Sequence, residues 1–196
     1  MEWRLGRWTA KQAACRYPGG HCDSAALSEL EIRAAQDGAP EVFFGNQPAP
    51  VSLSISHSAG KSLCIVGDRS NTVGCDLEKI EPRDESLVED YFTPEEGVLV
   101  SRADVAERAM VITLIWCAKE SALKSLRQGL RRDTRSVIVS LPEAEDREAW
   151  NPLNVRCLES SRIFSGWWRV SDGFIQAITC SLPSILREIQ WPRRAR

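Results

Sequence analysis

Two short stretches of the sequence carry carboxylates and an ammonium group at spacings that could bring them together. A β-branched and apolar segment beginning at Thr72 predicts a strand, on which Asp76 and Glu78 project from the same face. In a later helical run, Glu120 and Lys124 stand four residues apart and share one stripe. If that stripe faces the strand, three carboxylates and one lysine meet at a single site.

This group of side chains suits a divalent cation beside a phosphate. Hard oxygen ligands suit Mg²⁺, which keeps several waters and takes other ligands from substrate phosphates. A lysine ammonium binds a phosphate oxygen as a point charge. We therefore interpret Asp76, Glu78 and Glu120 as candidate metal ligands and Lys124 as a candidate phosphate contact. The simpler alternatives are a solvated strand face and an ordinary helical ion pair, the latter contributing about 0.3–0.5 kcal/mol.

The overall composition argues against two classes of partner. The 196-residue chain has 25 Lys and Arg and 27 Asp and Glu, a formal net charge of −2, so no overall field favours nucleic acid or an anionic membrane. No run of about 18 apolar residues could span a bilayer, and the first residues lack the apolar core of a signal peptide. The seven cysteines include no CxxC pair, which is typical of a reduced protein. We expect a cytoplasmic protein without disulfides.

Hydrophobic periodicity and turn residues predict helices mixed with antiparallel strands. The predicted helices cover residues 3–15, 84–91, a segment from 94 onward and 104–126. The predicted strands cover residues 41–44, 51–57, 62–67, 72–77, 136–140, 155–158, 166–170 and 174–180. Tight connections between the strands at 51–57, 62–67 and 72–77 predict an antiparallel meander. Asp172-Gly173 predicts a hairpin, and Thr93 with Glu96 predicts a capping box.

Three strings in the sequence, in this order and spacing, resemble the signatures of a known enzyme family. They are Ile55-Ser56-His57-Ser58, Gly74-Cys75-Asp76-Leu77-Glu78 and the W-x-x-K-E-x-x-x-K pattern from Trp116 to Lys124. Together they resemble the Sfp-type 4′-phosphopantetheinyl transferases of the holo-acyl-carrier-protein synthase superfamily. The resemblance implies an α+β monomer of two similar halves in pseudo-twofold arrangement, each an antiparallel sheet packed on a long helix.

The implied halves are residues 1–71, expected to be short at the N-terminus, and residues 72–196, which carry the metal site. The resemblance places the active site in the cleft between them. It also implies an activity, the transfer of the phosphopantetheine arm of coenzyme A to a serine of an apo acyl or peptidyl carrier protein. Mg²⁺ or Mn²⁺ is the implied cofactor, coenzyme A the co-substrate, and adenosine 3′,5′-bisphosphate the product. The carrier would belong to a fatty acid, polyketide or nonribosomal peptide synthase.

The resemblance also implies roles for individual residues. Asp76, Glu78 and Glu120 would hold the metal, and Lys124 would contact a phosphate. Glu120 or Glu96 would accept the proton of the attacking serine.

Five further residues are implied at coenzyme A. Ser56 and His57 resemble the family's phosphate-binding pair, and His57 is expected at the 3′-phosphate. Lys119 is a second lysine candidate, and Arg7 and Lys11 would assist from the first helix. The chain departs from the family at Ala39, where many members have a lysine.

Two other functions and one partner surface are also considered. A Mg²⁺-dependent phosphodiesterase or nuclease would likewise use a carboxylate cluster. A catalytically weak homologue would bind coenzyme A or a carrier without efficient transfer. Because carrier proteins are typically acidic near their modified serine, four arginines beyond the long helix are expected to dock them. These are Arg127, Arg131, Arg132 and Arg135.

Overall fold

The chain forms an α+β structure of five helices and ten strands within the residues that the computed structural model describes, 2–17 and 24–187. The helices are α1 (Glu2–Arg16), α2 (Ser24–Glu29), α3 (Glu85–Tyr91), α4 (Pro94–Arg102) and α5 (Val105–Ser125). The strands are β1 (Leu30–Ala34), β2 (Pro40–Phe44), β3 (Gln47–Pro48), β4 (Val51–Ser58), β5 (Lys61–Asp68), β6 (Val73–Lys79), β7 (Val137–Ser140), β8 (Asn151–Cys157), β9 (Ile163–Ser171) and β10 (Phe174–Cys180). The predicted α+β class with antiparallel sheets is confirmed.

Two hydrophobic clusters organise these elements. In the first, α1 packs on the β4–β5 hairpin and on the small antiparallel sheet β1–β2–β3. Its buried members, here called the N-terminal core, are Ala10, Cys15, Leu30, Ile32, Val42 and Leu53. In the second, α5 covers one face of a five-stranded antiparallel sheet in the order β6-β10-β9-β8-β7. The most central members of this C-terminal core are Ile115, Leu123, Val137, Val155, Phe164 and Ile175.

The predicted meander is wrong, because β6 leaves β5 and pairs with β10 in the five-stranded sheet. No backbone ladder joins β4 to β6, and serine side chains of β4 bond the backbone of β6 instead. The hydroxyl of Ser54 accepts a hydrogen bond from the backbone N–H of Cys75 at 3.0 Å, and that of Ser52 accepts one from Val73 at 3.4 Å. The polar residues that alternate along β4 therefore face a neighbouring strand, whereas alternation alone suggested a face turned to water.

Gly74 allows β6 and α5 to approach very closely. A Cβ atom at this position would lie 1.9 Å from the carbonyl oxygen of Ser121 and 2.7 Å from the backbone nitrogen of Ser125. Only hydrogen fits there, so the glycine sets the distance between the strand that carries Asp76 and the helix that carries Glu120.

Ion pairs at two places join segments of the two cores. Beyond α5, Arg127 makes a bidentate contact with Asp37 in the β1–β2 turn at 2.7 and 3.0 Å. At the β4–β5 turn, Lys61 contacts Asp172 at 3.1 Å. The β1–β2 turn lies near the beginning of β4 and the β4–β5 turn follows its end, so the two contacts lie at opposite ends of that strand.

Several local predictions are confirmed by the structure. Asp172 and Gly173 both have positive φ, 51° and 76°, in the turn between β9 and β10. Thr93 and Glu96 form the reciprocal capping box at the start of α4. β1 lies in a segment for which no element was predicted, and β8 begins earlier than predicted.

Two findings concern the chemical environment of the chain. None of the six cysteines among the described residues forms a disulfide bond. Over those same residues, no helix combines the length and the apolar character that crossing a membrane requires.

Candidate functional site

The side chain of Asp76 is the centre of a buried polar cluster between β4, β6 and α5. The residue is 3% exposed. Its Oδ1 atom accepts hydrogen bonds from Lys124 Nζ and from Ser56 Oγ, each at 2.7 Å. Lys124 Nζ also lies 3.2 Å from Ser56 Oγ, so the three groups form a closed triangle. The predicted meeting of the strand carboxylate and the helix lysine is therefore present.

Glu120 lies in the same cluster, one helical turn before Lys124, and is 8% exposed. Burial, together with the negative charges of Asp76 and Glu78, raises the pKa of this carboxyl from 4.5 to about 7, although Lys124 opposes the change. Burial lowers the pKa of Lys124, but the charge and hydrogen bond of Asp76, together with smaller contributions that include the charge of Glu120, outweigh burial and raise the pKa above its ordinary value. The cluster thus holds several like charges that one ammonium only partly balances.

Two carboxylate oxygens of this cluster are buried with no hydrogen-bond partner in the part of the chain that the structure describes. They are Asp76 Oδ2 and Glu120 Oε1. We call them the unsatisfied oxygens. A buried oxygen that bonds nothing costs free energy, about 1–3 kcal/mol, and more for a charged group, so each such atom suggests a missing partner.

The carboxylate of Glu78, the third predicted ligand, has a hydrogen-bond partner outside the cluster. Its carboxylate is half-buried and accepts a hydrogen bond from the guanidinium of Arg83 at 2.9 Å. Across residues 2–17 and 24–187, no group of three His, Cys, Asp or Glu side chains is close enough together to hold a metal ion. The predicted three-ligand set is therefore not assembled here, and its role as a metal site stays a prediction.

The donor chemistry of the cluster nevertheless fits Mg²⁺. This ion is typically held by one or two carboxylates, with waters and substrate phosphates supplying its other ligands. The two unsatisfied oxygens come from different elements, β6 and α5, and belong to carboxylates whose charges repel each other. A divalent cation would remove both the repulsion and the missing contacts. Asp76 and Glu120 are accordingly the residues that would hold it.

The structure does not bring Lys119 and Glu96 to this cluster. Both side chains are wholly buried and paired with each other, Lys119 Nζ lying 2.7 Å from Glu96 Oε2. Burial lowers the pKa of Lys119, and Glu96 opposes that change. Neither group has surface that a substrate could touch, so their placement does not support the predicted phosphate contact of Lys119 or a proton-accepting role for Glu96.

The side chains of Ser56 and His57 lie on opposite faces of β4. Ser56 is buried beside Asp76, whereas His57 is exposed and lies near Gly6 of α1. From the same helix, Arg7 donates to the carbonyl oxygen of Ile32 and stacks on the Trp3 ring, with 4.2 Å between the guanidinium carbon and the ring centroid. The predicted roles of these residues at coenzyme A are not tested by these contacts.

Lys11, the second predicted cation of α1, is half-buried. Its ammonium lies 3.4 Å from the carbonyl oxygen of Leu27, at the long end of hydrogen-bond distances. Its predicted role likewise stays a prediction.

The four arginines beyond α5 all have partners within the chain. Arg127 contacts both Asp37 and Glu41, and Arg131 donates to the carbonyl oxygen of Asp37 at 2.7 Å. The remaining pairs are Arg132 with Glu159 at 2.5 Å and Arg135 with Asp133 at 3.2 Å. Because these charges are largely balanced locally, the group is a weaker docking surface for an acidic partner than the sequence suggested.

Two features of the site were missed at the sequence level. The first is the contact between Ser56 and Asp76, and the alternating serines of β4 were the available signal. The second is the role of Gly74, for which the glycine two residues before Asp76 was the signal, since a strand interior disfavours glycine unless another backbone approaches.

The fold and the site define an α+β protein with a buried carboxylate–lysine–serine cluster at the contact between β4, β6 and α5. Comparison with known proteins shows which family the segment carrying this cluster resembles. Residues 72–166 match the family model of the 4′-phosphopantetheinyl transferase superfamily. The matched segment contains Asp76, Glu78, Glu120 and Lys124, whereas Ser56 precedes it.

Curated relatives agree with the family match. The chain is 32% identical over 124 residues to the 4′-phosphopantetheinyl transferase AcpT of Salmonella typhimurium, and the alignment covers 62% of this chain and 62% of that protein. It is 22% identical over 179 residues to a putative 4′-phosphopantetheinyl transferase, slr0495, of Synechocystis sp., covering 84% of this chain and 72% of that protein. The chain is therefore similar to the 4′-phosphopantetheinyl transferase superfamily, and residues 72–166, which match the family model, carry Asp76, Glu120 and Lys124.

Proposed function

We propose that the protein transfers the 4′-phosphopantetheine group of coenzyme A to a serine of an apo acyl or peptidyl carrier protein, in a Mg²⁺-dependent reaction that releases adenosine 3′,5′-bisphosphate. The observation that carries this proposal is the cluster of Asp76, Glu120 and Lys124 in the segment that matches the family model. Its unsatisfied oxygens and its lysine are suited to a cation and a diphosphate, respectively.

In the proposed reaction, the serine hydroxyl of the carrier attacks the phosphorus atom next to the pantetheine arm. A new serine O–P bond forms, the P–O bond of the diphosphate breaks, and the leaving phosphate carries its electron pair away on adenosine 3′,5′-bisphosphate. When bound, Mg²⁺ would supply charge neutralisation on the diphosphate. The residues of the chain would chiefly position the reacting groups and stabilise charge.

Glu120 is our candidate for the group that accepts the proton of the serine. Of the two carboxylates considered for this role, Glu96 is enclosed and bonded, whereas Glu120 keeps one unsatisfied oxygen. The pKa of this carboxyl is about 7 without a cation, and a cation held beside it would lower that value and keep the carboxylate ionised, so that it can accept a proton near neutral pH.

Lys124 is our candidate for the diphosphate contact. Its side chain is 27% exposed, so the ammonium can meet a ligand while remaining near Asp76. Its raised pKa keeps it charged at neutral pH. We also propose that residues 1–71 and 72–196 act as two halves in pseudo-twofold arrangement, that coenzyme A binds between them, and that the enzyme is a monomer.

A direct test is to incubate the protein with Mg²⁺, coenzyme A and several apo carrier proteins. The mass of at least one carrier should rise by one phosphopantetheine group, and its serine-to-alanine variant should gain nothing. Omitting Mg²⁺ in the presence of a chelator should abolish the gain. No mass gain on any carrier would reject the proposed transfer.

The same assay separates the other functions considered. Release of adenosine 3′,5′-bisphosphate without a carrier would indicate a phosphodiesterase. Carrier or coenzyme A binding in calorimetry without any turnover would indicate a catalytically weak homologue.

A further inference from the structure

A second acid–base pair joins Lys119 of α5, the neighbour of Glu120 in the sequence, to Glu96 of α4 and takes no part in the proposed chemistry. Lys119 Nζ contacts Glu96 Oε2 at 2.7 Å and donates to the carbonyl oxygens of Thr134 at 3.0 Å and Val137 at 2.7 Å. A lysine ammonium has three donor hydrogens, so each one has an acceptor.

The carboxylate of Glu96 is also fully used. Its Oε2 atom accepts from the backbone N–H of Thr93 at 2.8 Å, and its Oε1 atom accepts from that of Val139 at 2.9 Å. The pair therefore connects α5 to the start of α4, to the turn before β7 and to β7 itself.

A buried ion pair of this kind is not the most stable way to fill a core. Apolar side chains of similar volume often give equal or greater stability, because removing two charges from water is costly. Directed hydrogen bonds do provide a defined register, since each contact is lost when the helix rotates or slides. The Lys119–Glu96 pair thus specifies the orientation of α5 about its axis.

The opposite side of the helix is fixed by a second contact. Gly74 of β6 packs directly against the backbone of Ser121. Glu120 stands between these two anchored positions in the sequence, so a small rotation of α5 would move its carboxylate relative to Asp76.

We propose that Lys119 and Glu96 are positioning residues that set the rotation of α5 and thereby direct Glu120 and Lys124 toward Asp76. Their effect on turnover passes through those side chains and involves no contact with substrate. This inference rests on the proposed function, because its main measurement is the rate of phosphopantetheine transfer.

The experiment compares two double variants of the full chain. The first, Lys119→Met with Glu96→Gln, removes both buried charges and keeps a capping-competent side chain at position 96. The control, Arg147→Gln with Glu107→Gln, removes an exposed ion pair of 2.7 Å between the first turn of α5 and the loop before β8. Thermal unfolding, kcat and the KM for coenzyme A are measured for each.

The first variant should unfold cooperatively and lose kcat by about 10–100-fold with an unchanged KM, since misplacing a reacting group chiefly affects turnover. The control should retain kcat. If the first variant does not fold, Glu96→Asp is used, which keeps both charges but lengthens the pair, and the same loss of kcat is expected. Unchanged kcat in the folded variant, with an active wild-type protein, would overturn this inference alone. A wild-type protein without transfer would reject the proposed function and this inference with it.

Discussion

Two lysine–carboxylate clusters share α5, which supplies Lys119 to one and Glu120 and Lys124 to the other, and the clusters differ in how completely their polar atoms are bonded. Around Lys119, each ammonium hydrogen and both oxygens of Glu96 have partners, and the pair has no exposed surface. Around Lys124, the unsatisfied oxygens remain and the ammonium is partly exposed. A satisfied buried network stabilises one arrangement of the chain, whereas an unsatisfied one is suited to a ligand.

Removing the charge of Asp76 should have the largest effect and would test whether the Lys124 cluster is functional. Asp76→Asn removes the charged partner of Lys124. It also removes the negative charge from the carboxylate that carries one of the two unsatisfied oxygens. We expect transfer to fall by at least about 10³-fold, the scale seen when a preorganised charge is lost. The carrier mass assay measures this, with exposed Asp90→Asn as control. Near-normal transfer by Asp76→Asn would remove the distinction between the clusters.

Changing Gly74 tests whether the close approach of β6 and α5 maintains the Lys124 cluster. Gly74→Ala places a methyl group 1.9 Å from a backbone oxygen, so the elements must separate, at a cost of about 3 kcal/mol of stability. Urea unfolding measures the loss, and transfer should fall as well. Gly97→Ala is the matched control, because its Cβ would meet nothing within 4 Å and alanine favours the helix. Equal behaviour of the two variants would contradict the proposed packing constraint.

Replacing Glu120 tests whether the unsatisfied cluster costs stability. Its pKa rises from 4.5 to about 7 on folding, so the folded protein binds the proton more tightly and stability declines as pH rises through this range. Glu120→Gln should therefore stabilise the protein at pH 8 by about 2 kcal/mol while abolishing transfer, and should change stability little at pH 4. Chemical unfolding at both values measures the difference, with exposed Glu89→Gln as control. A destabilised variant at pH 8 would show that the ionised carboxylate has a partner.

Removing the contact between Arg127 and Asp37 should have the smallest effect on stability. This ion pair is neither buried nor catalytic, so it serves as a reference for the two lysine–carboxylate clusters. The Arg127 guanidinium lowers the pKa of Asp37 to about 2, so its stabilising contribution is present above pH 3.8 and lost as pH falls toward 2. Because both side chains are over a third exposed, Arg127→Gln should cost only about 0.5–1 kcal/mol at pH 7. Thermal unfolding at pH 7 and pH 2 measures this, and an equal loss at both would exclude the carboxylate as its source.

The sequence predicted the elements of the site better than the contacts between them. Spacing was enough to place Asp76 on a strand and Glu120 and Lys124 on one helical face, because both periodicities are local. The sequence could not show that Lys119 is buried whereas Lys124 is partly exposed. Both are lysines of one motif, and their burial depends on which element packs on each side of α5. The capping box at Glu96 was also a local pattern, but the second partner of that carboxylate comes from β7, 43 residues later.

The strand that pairs with β6 was likewise not predictable from local sequence patterns. Short turns favoured the neighbour nearest in sequence, yet β10, about a hundred residues later, supplies the backbone partner. The serines of β4 stabilise β6 in the five-stranded sheet. Their hydroxyls accept hydrogen bonds from backbone N–H groups on the side of β6 that has no strand partner.

The contacts of Arg127 with Asp37 and of Lys61 with Asp172 restrict how the two cores can move. A body attached at two points can still turn about the line through them, and here that line follows β4. Twisting about this axis would leave Ser56 near Asp76, since both lie close to it. A jaw-like opening would instead have to break one of the two attachments.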